Sequence, residues 1–282
     1  MRMELVSIPT DTEALDGLWW EPEGVAKGAV LVMHGNVGNF YKGPSRFLPP
    51  RLVQHGYACL AFNRRGHDVL VTVRGRELSG GAFQLIHQAI DDNRRAADWV
   101  AARGFPAPLV IGHSNGGMLA IRHVSERPET PAMVLLSAHV GGRDFVQRIS
   151  RGGNLARDQV DEITRRAHEM VAQGRGHELI LLPGWYWAIS AESFLDILTN
   201  VPDGLELAPR VHCPVLYLRG EREPREAYPA EAFAARAGGR CDVRILPRCD
   251  HWYTGEETQV CNVVVEWLEG AGIVREAATA AE

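Results

Sequence analysis

Long uncharged apolar runs are missing from this 282-residue chain, so no membrane span is expected. Cysteine is scarce and unpaired by pattern. The five residues (Cys59, Cys213, Cys241, Cys249 and Cys261) are odd in number and form no C-x-x-C. They read as reduced, which argues against a disulfide framework. No His-Glu-x-x-His, no His/Cys/Asp grouping with ligand spacing and no Gly-x-x-x-x-Gly-Lys-Ser/Thr occurs, so neither a metal nor another cofactor is expected. Positive charge is not in excess: 30 Lys and Arg stand against 35 Asp and Glu, a formal charge of −5. With the basic residues dispersed, nucleic acid and anionic lipid are not expected partners. The start, Met1-Arg2-Met3-Glu4-Leu5, lacks a charged stretch followed by an apolar one. The expectation is therefore no signal peptide and a cytoplasmic location. Internal repeats are absent as well.

What is present is a globular composition, 45% hydrophobic and 23% charged, in a chain long enough for one sizeable core. Residues 3–8 and 13–21 read as an antiparallel hairpin around Pro9-Thr10-Asp11-Thr12. Continuous apolar strands follow at 28–35, 56–63, 108–112 and 132–137, with helical periodicity at 84–103 and 115–126. Strands without polar alternation, separated by helices, indicate a parallel sheet covered on both faces. From about 140 to 210 the rhythm breaks into a helix-rich stretch. It resumes with a strand at 214–218, a helix at 226–237, a strand at 241–246 and a helix at 257–269. The simplest division is a core of 1–139 and 211–275 with a helical cap inserted at 140–210. The Ala-rich end at 276–282 is expected to fray.

Chemistry concentrates at Gly112-His113-Ser114-Asn115-Gly116-Gly117, between a predicted strand and a predicted helix. In that context G-x-S-x-G places a serine on a sharp turn with its hydroxyl clear of the sheet edge. Glycines 112 and 116 leave room where side chains would collide, and the following helix aims free N–H groups at the reacting centre. Such a serine needs a base, and the base needs an orienting acid. His251, in Arg248-Cys249-Asp250-His251-Trp252 after the last strand, is the candidate base. The remaining histidines have structural readings; His123 and His168 are expected on helix surfaces, and His34 as a buried brace of its loop. The candidate acid is Glu223 in Arg219-Gly220-Glu221-Arg222-Glu223-Pro224, with Glu221, Glu226 and Asp144 as competitors. Asp250 adjoins the base but is expected to point elsewhere. In His34-Gly35-Asn36-Val37-Gly38-Asn39 the backbone N–H of Asn36 is expected to join that of Asn115 as an oxyanion hole. Trp185, Tyr186, Trp187 and Trp252 are candidate substrate-binding aromatics.

These pieces, HGN at 34–36, GYACLAFNRRGHD at 56–68, GHSNGG at 112–117, PVLYLRGEREP at 214–224 and CDHW at 249–252, resemble the alpha/beta-hydrolase superfamily. The likeness covers about 25–140 and 211–270. It implies an α/β fold with an eight-stranded, mostly parallel sheet flanked by helices, a Ser–acid–His triad and a cap after the sixth strand. Two departures stand out, Asn63 where the family usually has Asp and Glu223 where the acid is commonly Asp. Within the cap, 174–178 and 189–195 look like the cap of siderophore-ester hydrolases.

The expected activity is hydrolysis of a small-molecule carboxylic ester through an acyl-enzyme, of carboxylesterase type. Thioester, amide or peptide, and C–C bond hydrolysis would use the same residues. Haloalkane dehalogenation is disfavoured, because it needs a carboxylate nucleophile where Ser114 stands. A non-catalytic ligand receptor on the same fold is the reading from a different class.

Overall fold

The computed structural model describes residues 1–73, 75, 77–184 and 187–270. Its strands are β1 (Arg2–Ile8), β2 (Leu15–Glu21), β3 (Gly28–Met33), β4 (Tyr57–Phe62), β5 (Val71–Val73), β6 (Glu77–Ser79), β7 (Leu109–His113), β8 (Met133–Leu136), β9 (Leu179–Leu182), β10 (Trp187–Ser190), β11 (Val215–Gly220) and β12 (Cys241–Leu246). Eight of them form one sheet in the order β1-β2-β4-β3-β7-β8-β11-β12. The β1–β2 hairpin is antiparallel and meets β4 antiparallel; from β4 to β12 every pairing is parallel. The fold is the eight-stranded, mostly parallel α/β arrangement expected.

The apolar strands are apolar because both of their faces are covered. Ala29, Leu31 and Met33 of β3, with Leu60 and Phe62 of β4, turn to one core. There they meet α2 (Ile86–Ala102), α3 (Asn115–Val124) and α8 (Ala230–Ala234) through Ala97, Ile121 and Phe233. Val30 and Val32, with Cys59 and Ala61, turn the other way, onto α1 (Pro44–Gln54) and α9 (Glu257–Gly270). The period-2 geometry of a strand divides the residues so. Each fully buried Leu, Val or Phe contributes about 1.5–3 kcal/mol, so these two layers supply most of the driving force. The outer strand β12 exposes Arg244, a charge that discourages edge pairing.

Between β8 and β11 stand α4 (Phe145–Arg151), α5 (Val160–Ala172), the antiparallel ribbon β9–β10, α6 (Ala191–Thr199) and α7 (Gly204–Leu207). They have a core of their own around Val146, Ile163, Met170, Ile180 and Phe194. The ribbon is an addition to the helix-rich reading of this stretch; its apolar run Leu179–Leu182 alternates Ile180 and Leu182 inward with exposed Leu181. Of the two segments at 174–178 and 189–195, the second is built around a helix cap, Ser190 Oγ accepting from the Ser193 N–H at 3.1 Å. The Asp196 carboxylate of α6 accepts from the Ile86 N–H at 2.7 Å, tying this segment to the start of α2.

Other differences have local causes. The helix expected over 226–237 is only Ala230–Ala234, because Pro229 sits at its N-cap and the preceding N–H groups turn back to the Pro224 carbonyl. The hairpin β5–β6 was not anticipated, its strands being three residues each. His123 is buried rather than on a helix surface, facing inward from α3. The tail at 276–282, with 271–275 of the expected core, lies outside the described residues.

Candidate active site

In an open parallel sheet the loops at the carboxyl ends of the strands converge on one edge. Here β3 leads to Gly35-Asn36, β4 to Asn63-Arg64, β7 to Ser114, β8 to Ser137, β11 to Glu223 and β12 to His251.

Ser114 is the N-cap of α3 with φ 55° and ψ −119°, a left-handed conformation costly for a serine. The turn is held by the Ser114 N–H donating to the Leu136 carbonyl at 2.9 Å and by the Gly117 N–H donating to the Ser114 carbonyl at 3.0 Å. Neighbouring side chains would not fit. A Cβ on Gly112 would lie 2.4 Å from the Gly116 carbonyl oxygen, and one on Gly116 2.3 Å from that of Met33.

The structure brings the three sequence-predicted side chains into one chain of contacts. Ser114 Oγ lies 3.0 Å from His251 Nε2, and His251 Nδ1 lies 2.6 Å from Glu223 Oε1. The second carboxylate oxygen, Oε2, accepts from Ser137 Oγ at 2.5 Å and from the Gly220 N–H at 2.7 Å. The extra methylene of Glu is accommodated because the carboxylate folds back onto the strand end it has just left. Since Ser137 gives its only proton to the carboxylate, the Tyr253 hydroxyl donates to Ser137 Oγ, at 2.7 Å. Ser137 and Tyr253 both have positive φ, 45° and 59°. The backbone is thus unusual at three positions around one carboxylate–imidazole pair.

Among the described residues none of the competing acids is bonded to the ring, whose Nδ1 meets Glu223. Glu221 Oε2 accepts from the Arg248 N–H at 2.9 Å, and Asp250 Oδ1 from the Trp252 and Thr254 N–H groups. Asp144 precedes α4 and Glu226 is exposed.

Two further histidines act on the base, both of which read as structural in the sequence. His113 Nε2–H donates to the His251 carbonyl at 2.9 Å, its ring centred 4.9 Å from that of His251. His139 is stacked on Phe145 at 4.6 Å, and its Nδ1 accepts from the Gly141 N–H. Burial, then the nearby His251, holds both well down, to about 3. His34 is depressed by burial and by Arg64, and His123 falls to about 4 through burial. For His34, His113 and His139 a place at or just after a strand end is the one sequence signal, and a strand end alone does not separate a site residue from a packed one.

These buried imidazoles make stability depend on pH in a defined direction. An unfolded chain takes up protons near 6.5 that the folded chain refuses until about 4 or lower. The stabilisation is therefore complete above pH 6.5 and lost as pH falls, at up to about 1.4 kcal/mol per pH unit for each group. The urea midpoint is expected to drop steeply between pH 7 and pH 5. A flat profile over that range would show that these rings are not buried as neutral bases.

The backbone N–H groups of Asn36 and Asn115 donate to no protein acceptor among the described residues. Asn115 opens α3, where first-turn N–H groups have no helical partner. Asn36 follows Gly35, whose Cβ would stand 3.2 Å from Ser114 Cβ. His34 braces this loop: its Nε2 accepts from the Arg64 N–H at 3.1 Å, so Nδ1 carries the proton donated to the Gly35 carbonyl at 2.8 Å. Asn63, in place of an aspartate, uses its amide oxygen to accept from the Phe40 N–H.

Trp252 is about half exposed beside the base, its ring 5.4 Å from His251 and 5.5 Å from His113. Tyr228, which sequence reasoning did not single out, lies 5.0 Å from His251 on ring centres. Trp187 pairs with Leu182 in the ribbon. Trp185 and Tyr186 lie outside the described residues. No cluster of three metal-ligating side chains occurs among the described residues, and no described helix is long and apolar enough to cross a membrane.

Comparison with known proteins gives one family and one fold. The model of the "Alpha/beta hydrolase family" matches residues 29–262. Est1E from Butyrivibrio proteoclasticus, solved with ferulic acid bound, is 18% identical with a TM-score of 0.69, covering 94% of this chain and 98% of its own. A thermostable carboxyl esterase from Bacillus coagulans, in complex with glycerol, is 14% identical with a TM-score of 0.71, covering 96% and 99%. The alpha/beta hydrolase GrgF from Penicillium sp. sh18 is 13% identical with a TM-score of 0.73, again covering 96% and 99%.

Proposed function

The chain belongs to the alpha/beta hydrolase family, and from that footing we propose that it hydrolyses a small-molecule carboxylic ester through an acyl-enzyme on Ser114. The observation that carries the reading is the unbroken line Ser114 Oγ–His251 Nε2–His251 Nδ1–Glu223 Oε1, at 3.0 and 2.6 Å. His251 takes the serine proton as Oγ attacks the carbonyl carbon. The imidazolium that forms is held by the Glu223 carboxylate, then gives its proton to the leaving alcohol. Negative charge collects on the former carbonyl oxygen, which the Asn36 and Asn115 N–H groups receive; one such donor is worth about 3–4 kcal/mol of barrier. Water, activated by the same imidazole, releases the acid.

The elements at 140–210 act as a cap over this edge, and Trp252 offers an apolar surface for the substrate next to the base. The carboxyl esterase and the ferulic-acid-bound Est1E among its structural neighbours favour esters over the thioester, amide and C–C bonds that the same residues serve. The test is stopped-flow hydrolysis of p-nitrophenyl acetate and butyrate, run beside a matched thioester and anilide. The expected result is a burst of nitrophenol stoichiometric with protein, followed by turnover faster than on the anilide. Tight retention of the ester without a burst would favour the receptor reading.

A further inference from the structure

Two consecutive arginines follow β4, and they are handled in opposite ways. Arg65 is neutralised: its Nε donates to Asp92 and its Nη1 to Asp11, at 2.8 and 2.7 Å. Arg64 is 1% exposed, and among the described residues no carboxylate lies within ion-pair distance of it. Among the described residues its guanidinium hydrogen-bonds neutral acceptors alone, and the Asp92 carboxylate, bonded to Arg65, acts on it only through space. Nη2 donates to the His34 carbonyl at 2.7 Å, and lies 3.4 Å from both the Gly35 carbonyl and Asn115 Oδ1. Nε and Nη1 have no hydrogen-bond partner among the described residues.

An unpaired cation in the interior is expensive, and an apolar side chain of similar length would be cheaper there. Its acceptors say what the charge does. The Gly35 carbonyl receives Arg64, His34 Nδ1–H at 2.8 Å and the Gly38 N–H at 3.1 Å. The other end of that same peptide unit is the Asn36 N–H. Donors stacked on a carbonyl polarise its peptide, and the N–H at the far end becomes a stronger donor. The third contact of Nη2 is with the side chain of Asn115, whose own N–H is the second expected donor.

We propose that Arg64 is a positioning residue of the oxyanion hole, holding and polarising the Gly35–Asn36 peptide and the Asn115 side chain from behind. The inference rests on the ester-hydrolase reading above. Its positive charge, screened from water, opposes the negative charge that develops on the substrate oxygen in the transition state and is absent from the ground state. The effect therefore falls on kcat and not on KM.

The test uses Arg64→Met and Arg64→Gln, which remove the charge, with Arg64→Lys, which keeps it without the fork. In the uncharged variants kcat is expected to fall about 30-fold, less than for outright loss of a donor, with KM changed by less than about twofold. The rate at which a phosphonate labels Ser114 is expected to fall by the same factor, since that reaction builds a similar charge. Arg64→Lys is expected to recover most of the loss, to within about fivefold of the parent. Where Arg64→Met fails to fold, Arg64→Gln decides the question, and where both fail, a folded Arg64→Lys that loses kcat by about 30-fold or more overturns the proposal. It is also overturned if the uncharged variants keep kcat within about threefold, or lose it through KM alone. Parent protein whose Ser114 takes no phosphonate would count against the hydrolase reading itself. Equal labelling of parent and variants would count against Arg64 alone.

Discussion

Replacing Ser114 with alanine is expected to lower kcat on an activated ester by about 10⁶-fold while leaving the fold and KM nearly intact. The hydroxyl contributes little to stability, because among the described residues its one hydrogen bond is with His251 Nε2. Alanine also fits the backbone without new collisions, and the φ of 55° is no worse for it than for serine. Catalysis, by contrast, loses the atom that forms the bond. The residual rate is expected at about 10³–10⁴ over water, from the oxyanion donors and binding. The comparison to make is kcat and the urea midpoint on the same preparations. Activity within about tenfold of the parent would mean that another group attacks the substrate, or that the measured turnover is not this site's.

Glu223→Gln is expected to lower kcat by about 10⁴-fold, and the reason lies in the fixed donor at its back. The Gly220 N–H, 2.7 Å from Oε2, can only donate. An amide at 223 must therefore turn its oxygen toward Gly220 and its NH2 toward His251. The imidazole is then forced to accept at Nδ1, so Nε2 carries the proton and faces Ser114 as a donor. Volume and packing are nearly unchanged, so the thermal midpoint is expected to move little. Ser137→Ala, which leaves both Gly220 and His251 on the carboxylate, is expected to cost only about tenfold, in line with one charge-assisted hydrogen bond. If Glu223→Gln loses no more than Ser137→Ala, Glu223 is a structural ion-pair partner and a different carboxylate orients the base. Glu221, exposed and bonded to the Arg248 N–H, leaves no obvious substitute.

The sheet was legible in the sequence because burial on both faces erases polar alternation: Val30-Leu31-Val32 and Ala58-Cys59-Leu60 name a central parallel strand by composition. Elements whose stability comes from context were harder to read. Helix α1 contains Pro49 and Pro50, and it persists because Leu48, Leu52 and Val53 are buried against the sheet. The β9–β10 ribbon hides in a run that looks uniformly apolar, though Leu181 is 81% exposed.

Of the site, the residues that lie in a motif could be located in advance: Ser114 by its turn, and His251 and Glu223 by chain order after strand ends. The supporting residues carry no such mark. Ser137 and Tyr253 are 116 positions apart and meet at 2.7 Å only because β8 and the loop after β12 flank the same strand, β11. Arg64 and Arg65 are identical in the sequence, and only the fold separates a neutralised cation from an unpaired one. Pairing between distant loops is information that local pattern does not hold.

The most direct measurement is to mix the protein with p-nitrophenyl acetate, quench it in acid before the steady state, and map the peptides by mass spectrometry. The account predicts one added acetyl group, confined to the hydroxyl of residue 114, present in the parent and Glu223→Gln but slower to form in the latter, and absent from Ser114→Ala. An acetyl group on a different side chain, or release of nitrophenol with no covalent species on residue 114 at any quench time, would contradict it.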